Sequence, residues 1–145
     1  MHTYETDFAA WADEQSQALT EHRFGELDLT NLAEEIASLS RSDRRALRSH
    51  IRTLTMHLLK WQAQPYDRTS SWVDTIEAAR EEIEYFLKDS PSLRNETSDM
   101  MRDVYRRAVV GAAKETHMRI SEFPKECPFT FEELMTFPVS KDESE

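Results

Sequence analysis

From Leu27 to Pro65 the chain reads LDLTNLAEEIASLSRSDRRALRSHIRTLTMHLLKWQAQP, with neither glycine nor proline before Pro65. Leu29, Leu32, Ile36, Leu39, Leu47, Ile51, Leu54, Leu58 and Trp61 recur at helical spacing, so they share one side of a helix that turns about 100° per residue. Asp28 or Thr30 is placed to cap its start, and Gln64-Pro65 closes it. The weak point is Ser40-Arg41-Ser42-Asp43, where a serine can cap a new helix. The stretch therefore predicts one long kinked helix or two in succession.

The same periodicity extends outward in both directions. Upstream, Thr6-Asp7 caps a first helix running to about His22, with Phe8, Trp11, Ala12, Gln15 and Leu19 at helical spacing and Arg23-Phe24-Gly25 ending it. Downstream of the loop Pro65–Ser70, Ser70 or Ser71 caps a helix whose core face is Trp72 or Val73, Ile76, Ala79, Ile83 and Phe86 or Leu87. Ser90-Pro91 opens another, carrying Leu93, Met100, Met101, Val104, Tyr105, Ala108 and Ala112 to about Thr116. After a proline-rich segment from Ile120 to Pro128, Thr130-Phe131-Glu132-Glu133 reads as the capping box of one short helix. Only Gly25 and Gly111 are glycine, and apolar-polar alternation is nearly absent, so strands and hairpins are not expected. The expected fold is all-α: a helical bundle of four to six helices with one long or kinked central helix, a single domain over residues 1–137. Residues 138–145 are expected to form a charged, flexible tail.

Composition agrees with a wet, globular surface. Of 145 residues, 39% are hydrophobic and 32% charged, and the length suffices for one domain with its own core. The longest apolar runs fall far short of the roughly 20 residues that span a bilayer. The start MHTYETDFAAW lacks the basic and apolar regions of a secretory signal, and Cys127 stands alone, so a reducing cytoplasm is the simpler expectation. A formal charge of −10 repels phosphate backbones at long range and argues against general nucleic-acid binding.

Several chemistries are excluded outright. Two glycines 86 positions apart supply no GxGxxG, Walker or GxSxG turn, each of which needs glycines close together so that backbone bends sharply or approaches phosphate. No histidine is followed by glutamate, so there is no HExxH zinc helix, and one cysteine builds no cysteine-rich zinc site. No glutamate has a histidine three residues on, which removes the di-iron bundle signature. No cofactor or metal is therefore expected, and what stays open is a site assembled from distant positions.

Three constellations are candidates. Arg41, Arg44, Arg45, Arg48 and Arg52 fall on one helix face, opposite Leu47, Ile51, Leu54 and Leu58. Such a face is either solvated and paired with acids such as the Glu77–Glu84 stretch, or a docking site, because guanidinium forks suit carboxylates and phosphates. In HLLKWQAQP, His57 and Lys60 lie on a helix end that is apolar nearly all round. His57 is either a packed, hydrogen-bonded residue or a ligand or base completed by Glu34, Glu35 or Asp7. Tyr4, Asp7 and Trp11, three and four residues apart, share one side of the first helical turn, where Asp7 favours the helix N-terminus while Phe8 and Trp11 read as core. Cys127, between prolines in a segment with only Lys125 as a nearby base, reads as packed rather than reactive.

The motifs YETDFAAW, LDLTNLAEEIASL, RSDRRALRSHIRTLTMHLLKWQAQP, SPSL and FPKECPFTFEEL, in that order, resemble the bacterial family called domain of unknown function 29, from Tyr4 to about Phe137. The resemblance implies a small helical bacterial protein and supplies no catalytic residues. Ser40 stands where the family pattern has glycine and a helix break. Function then divides three ways. The leading reading is an acidic binding or regulatory module that docks a protein partner or acidic ligand through Arg41, Arg44, Arg45, Arg48 and Arg52. A second is an enzyme with a site built from His57, Lys60, Tyr4, Asp7 and Glu35, with or without a metal. A third is an acidic neutralising partner of the immunity-protein or antitoxin kind, steered by its charge to a basic target.

Overall fold

The structure is a computed structural model, described for residues 1–141. It is all-α, with five α-helices: α1 (Phe8–Thr20), α2 (Leu29–Ala63), α3 (Ser70–Asp89), α4 (Thr97–Thr116) and α5 (Phe131–Thr136). Among the described residues there is no strand, and no helix is long and apolar enough to cross a membrane. Of the two alternatives for the central segment, the single helix is realised: α2 runs 35 residues without a break at Ser40–Asp43. No proline interrupts its hydrogen-bond ladder, and an interior serine is only mildly unfavourable to a helix.

Two compact units are formed, one over residues 1–42 and one beginning at Asp43. In the first, Asp7 caps α1, its carboxylate accepting from the Ala10 N–H at 3.0 Å. α1 ends two residues before the expected His22, because His22 adopts the left-handed conformation (φ 57°) and the Arg23 N–H reaches back to the Ala18 carbonyl at 2.8 Å. Trp11, Gln15 and Ala18 are its buried face. Asp28 is the cap of α2: one carboxylate oxygen accepts from the Asn31 N–H, and the other from the Trp11 indole at 3.2 Å and the Asn31 amide at 2.8 Å. Gln15 ties the intervening turn, donating to the Glu26 carbonyl and accepting from the Asp28 N–H.

The expected apolar face fails in this unit. Phe8 is 51% exposed and Leu19 47%, while Leu29, Ile36 and Leu39 stand about two-thirds exposed on the first turns of α2. Of the same stripe on α2, Leu32 is half-buried, so the helical spacing holds while most of the face stays exposed.

In the second unit the face is covered. Leu47, Ile51, Leu54, Leu58, Leu59 and Trp61 of α2 join Val73, Ile76, Ala79, Ile83 and Leu87 of α3 and Met100, Met101, Val104, Tyr105, Ala108 and Ala112 of α4 in one core, closed by Phe123, Phe129 and Leu134. Thr69, not Ser70 or Ser71, caps α3. A 3₁₀ turn over Pro91–Glu96 precedes α4, where the reading from sequence ran one α-helix from Pro91. The Thr97 hydroxyl donates to the Arg94 carbonyl at 2.8 Å, and Glu96 offers no capping oxygen because Arg44 holds its carboxylate. The Thr130–Glu133 capping box starts α5 as expected. Its end is held from α3, where Arg80 donates to the Leu134 and Phe137 carbonyls at 2.7–3.2 Å and so satisfies helix-end acceptors. Of the expected tail, Val139 packs against the core and Lys141 pairs with Asp74 at 2.9 Å; residues 142–145 lie outside the described residues.

Candidate functional site

The arginine face of α2 divides into paired and unpaired members. Arg41, in the first unit, pairs with Glu34 at 2.6 Å. Arg44, in the second, forms a two-pronged bridge to Glu96, its Nε and Nη2 at 2.9 and 3.0 Å from the two carboxylate oxygens. That contact holds the Glu96 carboxyl below its ordinary range. Arg48 meets Asp103 only at 4.0 Å, and Arg45 and Arg52 form no ion pair among the described residues. The partners found are Glu34, Glu96 and Asp103, not the Glu77–Glu84 stretch.

Arg45, Arg48 and Arg52, one turn apart on α2, line a pocket of about 360 Å³ together with Ser49, and α4 contributes Asp103, Val104 and Arg107 from the other side. Arg107 also has no ion-pair partner among the described residues. Four arginines and one carboxylate thus line this pocket on a protein whose net charge is −10. The Val104 floor is buried, the charged rim is open, and the local excess of positive charge creates a potential that draws anions. Arg107 and Asp103 escaped the reading of the sequence. Their four-residue spacing places them on one side of α4, but only the α2–α4 packing says which side faces the arginines.

The other sequence candidates lie elsewhere. Tyr4 donates a short hydrogen bond to Glu35, and Asp7 is engaged as the cap of α1. The bond to Glu35 raises the Tyr4 pKa. His57 and Lys60 belong to the second unit. The His57 Nδ1–H donates to the Thr53 carbonyl at 2.9 Å one turn back, and burial holds the imidazole below its ordinary pKa of 6.5. Lys60, only 4% exposed, donates to Glu115 at 2.9 Å with its ammonium 4.6 Å from the centre of the Trp72 ring. On the following turn Arg68 covers Trp61 at 4.5 Å and donates to its carbonyl. The HLLKW segment is therefore a knot of cations over indoles, with every buried side-chain polar atom satisfied among the described residues. No group of three or more His, Cys, Asp or Glu residues there is disposed to hold a metal ion.

A larger pocket, of about 530 Å³, lies between α4 and the segment Lys125–Phe131 and is lined by Met101, Tyr105, Cys127, Phe129 and Phe131. The Tyr105 hydroxyl donates to the Pro124 carbonyl at 2.6 Å, and burial pushes its pKa up to about 12. Burial likewise raises the Cys127 thiol, which keeps it protonated and a poor nucleophile.

The fold and this inventory define a small all-α protein whose most distinctive polar feature is an open arginine pocket. The chain belongs to the family described as domain of unknown function DUF29, whose model matches residues 3–137, nearly its whole length. No curated protein and no solved structure matches it.

Proposed function

We propose that this protein is a binding module that docks carboxylate or phosphate groups of an acidic partner in the pocket formed by Arg45, Arg48, Arg52 and Arg107. The observation that carries this reading is the charge imbalance: four arginines line a pocket with Asp103 as its one carboxylate, and three of them have no ion pair among the described residues. A face evolved only for solubility is expected to intersperse its charges, as Arg41 with Glu34 and Arg44 with Glu96 do. Guanidinium forks accept planar two-oxygen ligands, and their spacing by single helical turns lets one ligand engage more than one of them. The acidic remainder of the surface repels anions that do not fit, so the pocket selects by position as well as by charge. Cytoplasmic residence belongs to the same reading.

The test is a calorimetric titration of the full chain with tripolyphosphate and with a glutamate-rich peptide at low ionic strength. Binding that weakens with salt and falls at least tenfold in Arg45→Gln/Arg52→Gln/Arg107→Gln supports the module. Absence of binding to both probes, or binding that the triple variant leaves unchanged, sinks it.

A further inference from the structure

We infer that the arginine pocket has one preferred locus, at the level of Arg52 on α2 and Arg107 on α4, and that this locus takes a phosphomonoester group in preference to a carboxylate. The inference rests on the anion-docking role proposed above and narrows it to one chemical group. The register of two helices carries it. α2 and α4 run parallel, as the order of their contacts shows: Arg44 meets Glu96, Arg48 meets Asp103, Met56 meets Gly111 and Lys60 meets Glu115. The last three pairs share the offset of Lys60 and Glu115, 55 residues, which puts Arg107 level with Arg52. Both line the pocket, both are exposed, and neither has an ion pair among the described residues.

The rest of the pocket is not equivalent to this level. One turn toward the helix N-termini, Arg48 already stands level with Asp103. One turn toward the C-termini, Met56 packs directly on Gly111 and closes the space between the helices. At the far end Arg45 is alone, because the α4 residue level with it is the buried Met100. Only at Arg52 and Arg107 do both helices supply a cation with no acid between them at the same height.

That two-sided arrangement discriminates between anions. A carboxylate has two oxygens in one plane, and a single guanidinium fork satisfies both, as Arg44 does for Glu96. A second arginine from the opposite helix adds little to it. A phosphomonoester carries about −1.5 to −2 charges and three terminal oxygens, so it can be approached from both helices at once. Asp103 limits what else the ligand can bring. An anion extended along α2 toward Arg45 has to pass this carboxylate, whereas a hydroxyl or N–H beside the ester finds an acceptor there.

The test is calorimetric titration of the full chain with a short peptide bearing one phosphoserine, with the same peptide carrying glutamate in its place, and with glucose 6-phosphate, which offers the same group on a sugar. At least one monoester is expected to bind tenfold or more tighter than the glutamate peptide, and the tighter of the two identifies the carrier as a protein side chain or a free metabolite. Arg52→Gln and, separately, Arg107→Gln are expected to remove that preference, while Arg45→Gln leaves it in place. All three residues are exposed, and unchanged helical circular dichroism checks that the variants fold. A glutamate peptide that binds as tightly as both monoesters overturns the inference. So does the absence of binding by either monoester, or an Arg45→Gln variant that loses as much as Arg52→Gln. If tripolyphosphate or a glutamate-rich peptide still binds through the arginines in such a case, anion docking stands and only its preference for a phosphomonoester falls; if neither binds, both readings fall.

Discussion

Arg44 and Glu96 are joined by two parallel hydrogen bonds, from Nε and Nη2 to the two carboxylate oxygens, linking the middle of α2 to the turn that precedes α4. Both side chains are about a third exposed, so solvent screens the pair, and its planar geometry, not its charge alone, makes it count. Arg44→Gln or Glu96→Gln is expected to lower stability slightly. Because the Glu96 pKa is lowered in the folded state, the contribution is whole above the ordinary carboxylate value of 4.5 and is lost as pH falls below it. Urea unfolding at neutral pH and at acid pH should show the two variants differing from wild type only at the higher pH. An equal difference at both contradicts this.

His57 gives a dependence of the same sign in a different window. Burial lowers its pKa and the Lys60 ammonium acts the same way, against the opposing pull of the Thr53 carbonyl and Glu115. The folded protein therefore binds fewer protons here than the unfolded chain does. Its stabilising contribution is complete above 6.5 and diminishes as pH falls from there through the lowered folded value. His57→Gln should flatten the fall in melting temperature below neutrality, relative to wild type. Parallel profiles for the two proteins would show that His57 is not the group responsible.

Gly111 sits where α4 comes closest to Met56 of α2: a Cβ there meets the Met56 sulfur at 2.5 Å. An interior helical glycine sacrifices about 1 kcal/mol of propensity relative to alanine, but the thioether must move aside to admit the methyl group. Gly111→Ala is expected to fall within about 1 kcal/mol of wild type, and Gly111→Val to lose about 1–3 kcal/mol through overpacking. In a Met56→Ala background Gly111→Ala should become plainly stabilising, a coupling that chemical denaturation of the four proteins measures. Additive effects would contradict the contact.

The helices and their core faces in the second unit were legible because periodicity and burial coincide there: Ile51, Leu54 and Leu58 on α2, and Ile76 and Ile83 on α3, are predicted as the core faces of their helices and are all buried. The first unit shows the limit of that logic. Leu29, Ile36 and Leu39 have the right spacing, yet spacing specifies a face and not what covers it. The end of α1 was misplaced because His22 takes a backbone conformation usually held by glycine. Half of the arginine pocket could be read from Arg45, Arg48 and Arg52 on one helix. Arg107 and Asp103 could not, since they enter from a second helix whose rotation is decided by the packing of Val104 and Ala108.

The pocket makes a final prediction about stability in the absence of ligand. An arginine face that exists to hold the fold together has partners, and removing its charges strands the opposing carboxylates. Arg45 and Arg52 strand nothing, because they form no ion pair among the described residues, and Arg48 touches Asp103 only at the outer limit of a salt bridge. Their guanidinium groups instead repel one another across single helical turns. Arg45→Gln/Arg48→Gln/Arg52→Gln is therefore expected to change stability by less than about 1.5 kcal/mol in either direction. Added phosphate should raise the melting temperature of wild type more than that of the variant, since a ligand stabilises only the state that binds it. A loss of several kcal/mol without ligand would mean that these arginines hold buried partners and serve the fold. Equal stabilisation of both proteins by phosphate would mean that the anion acts through the solvent and not through this pocket.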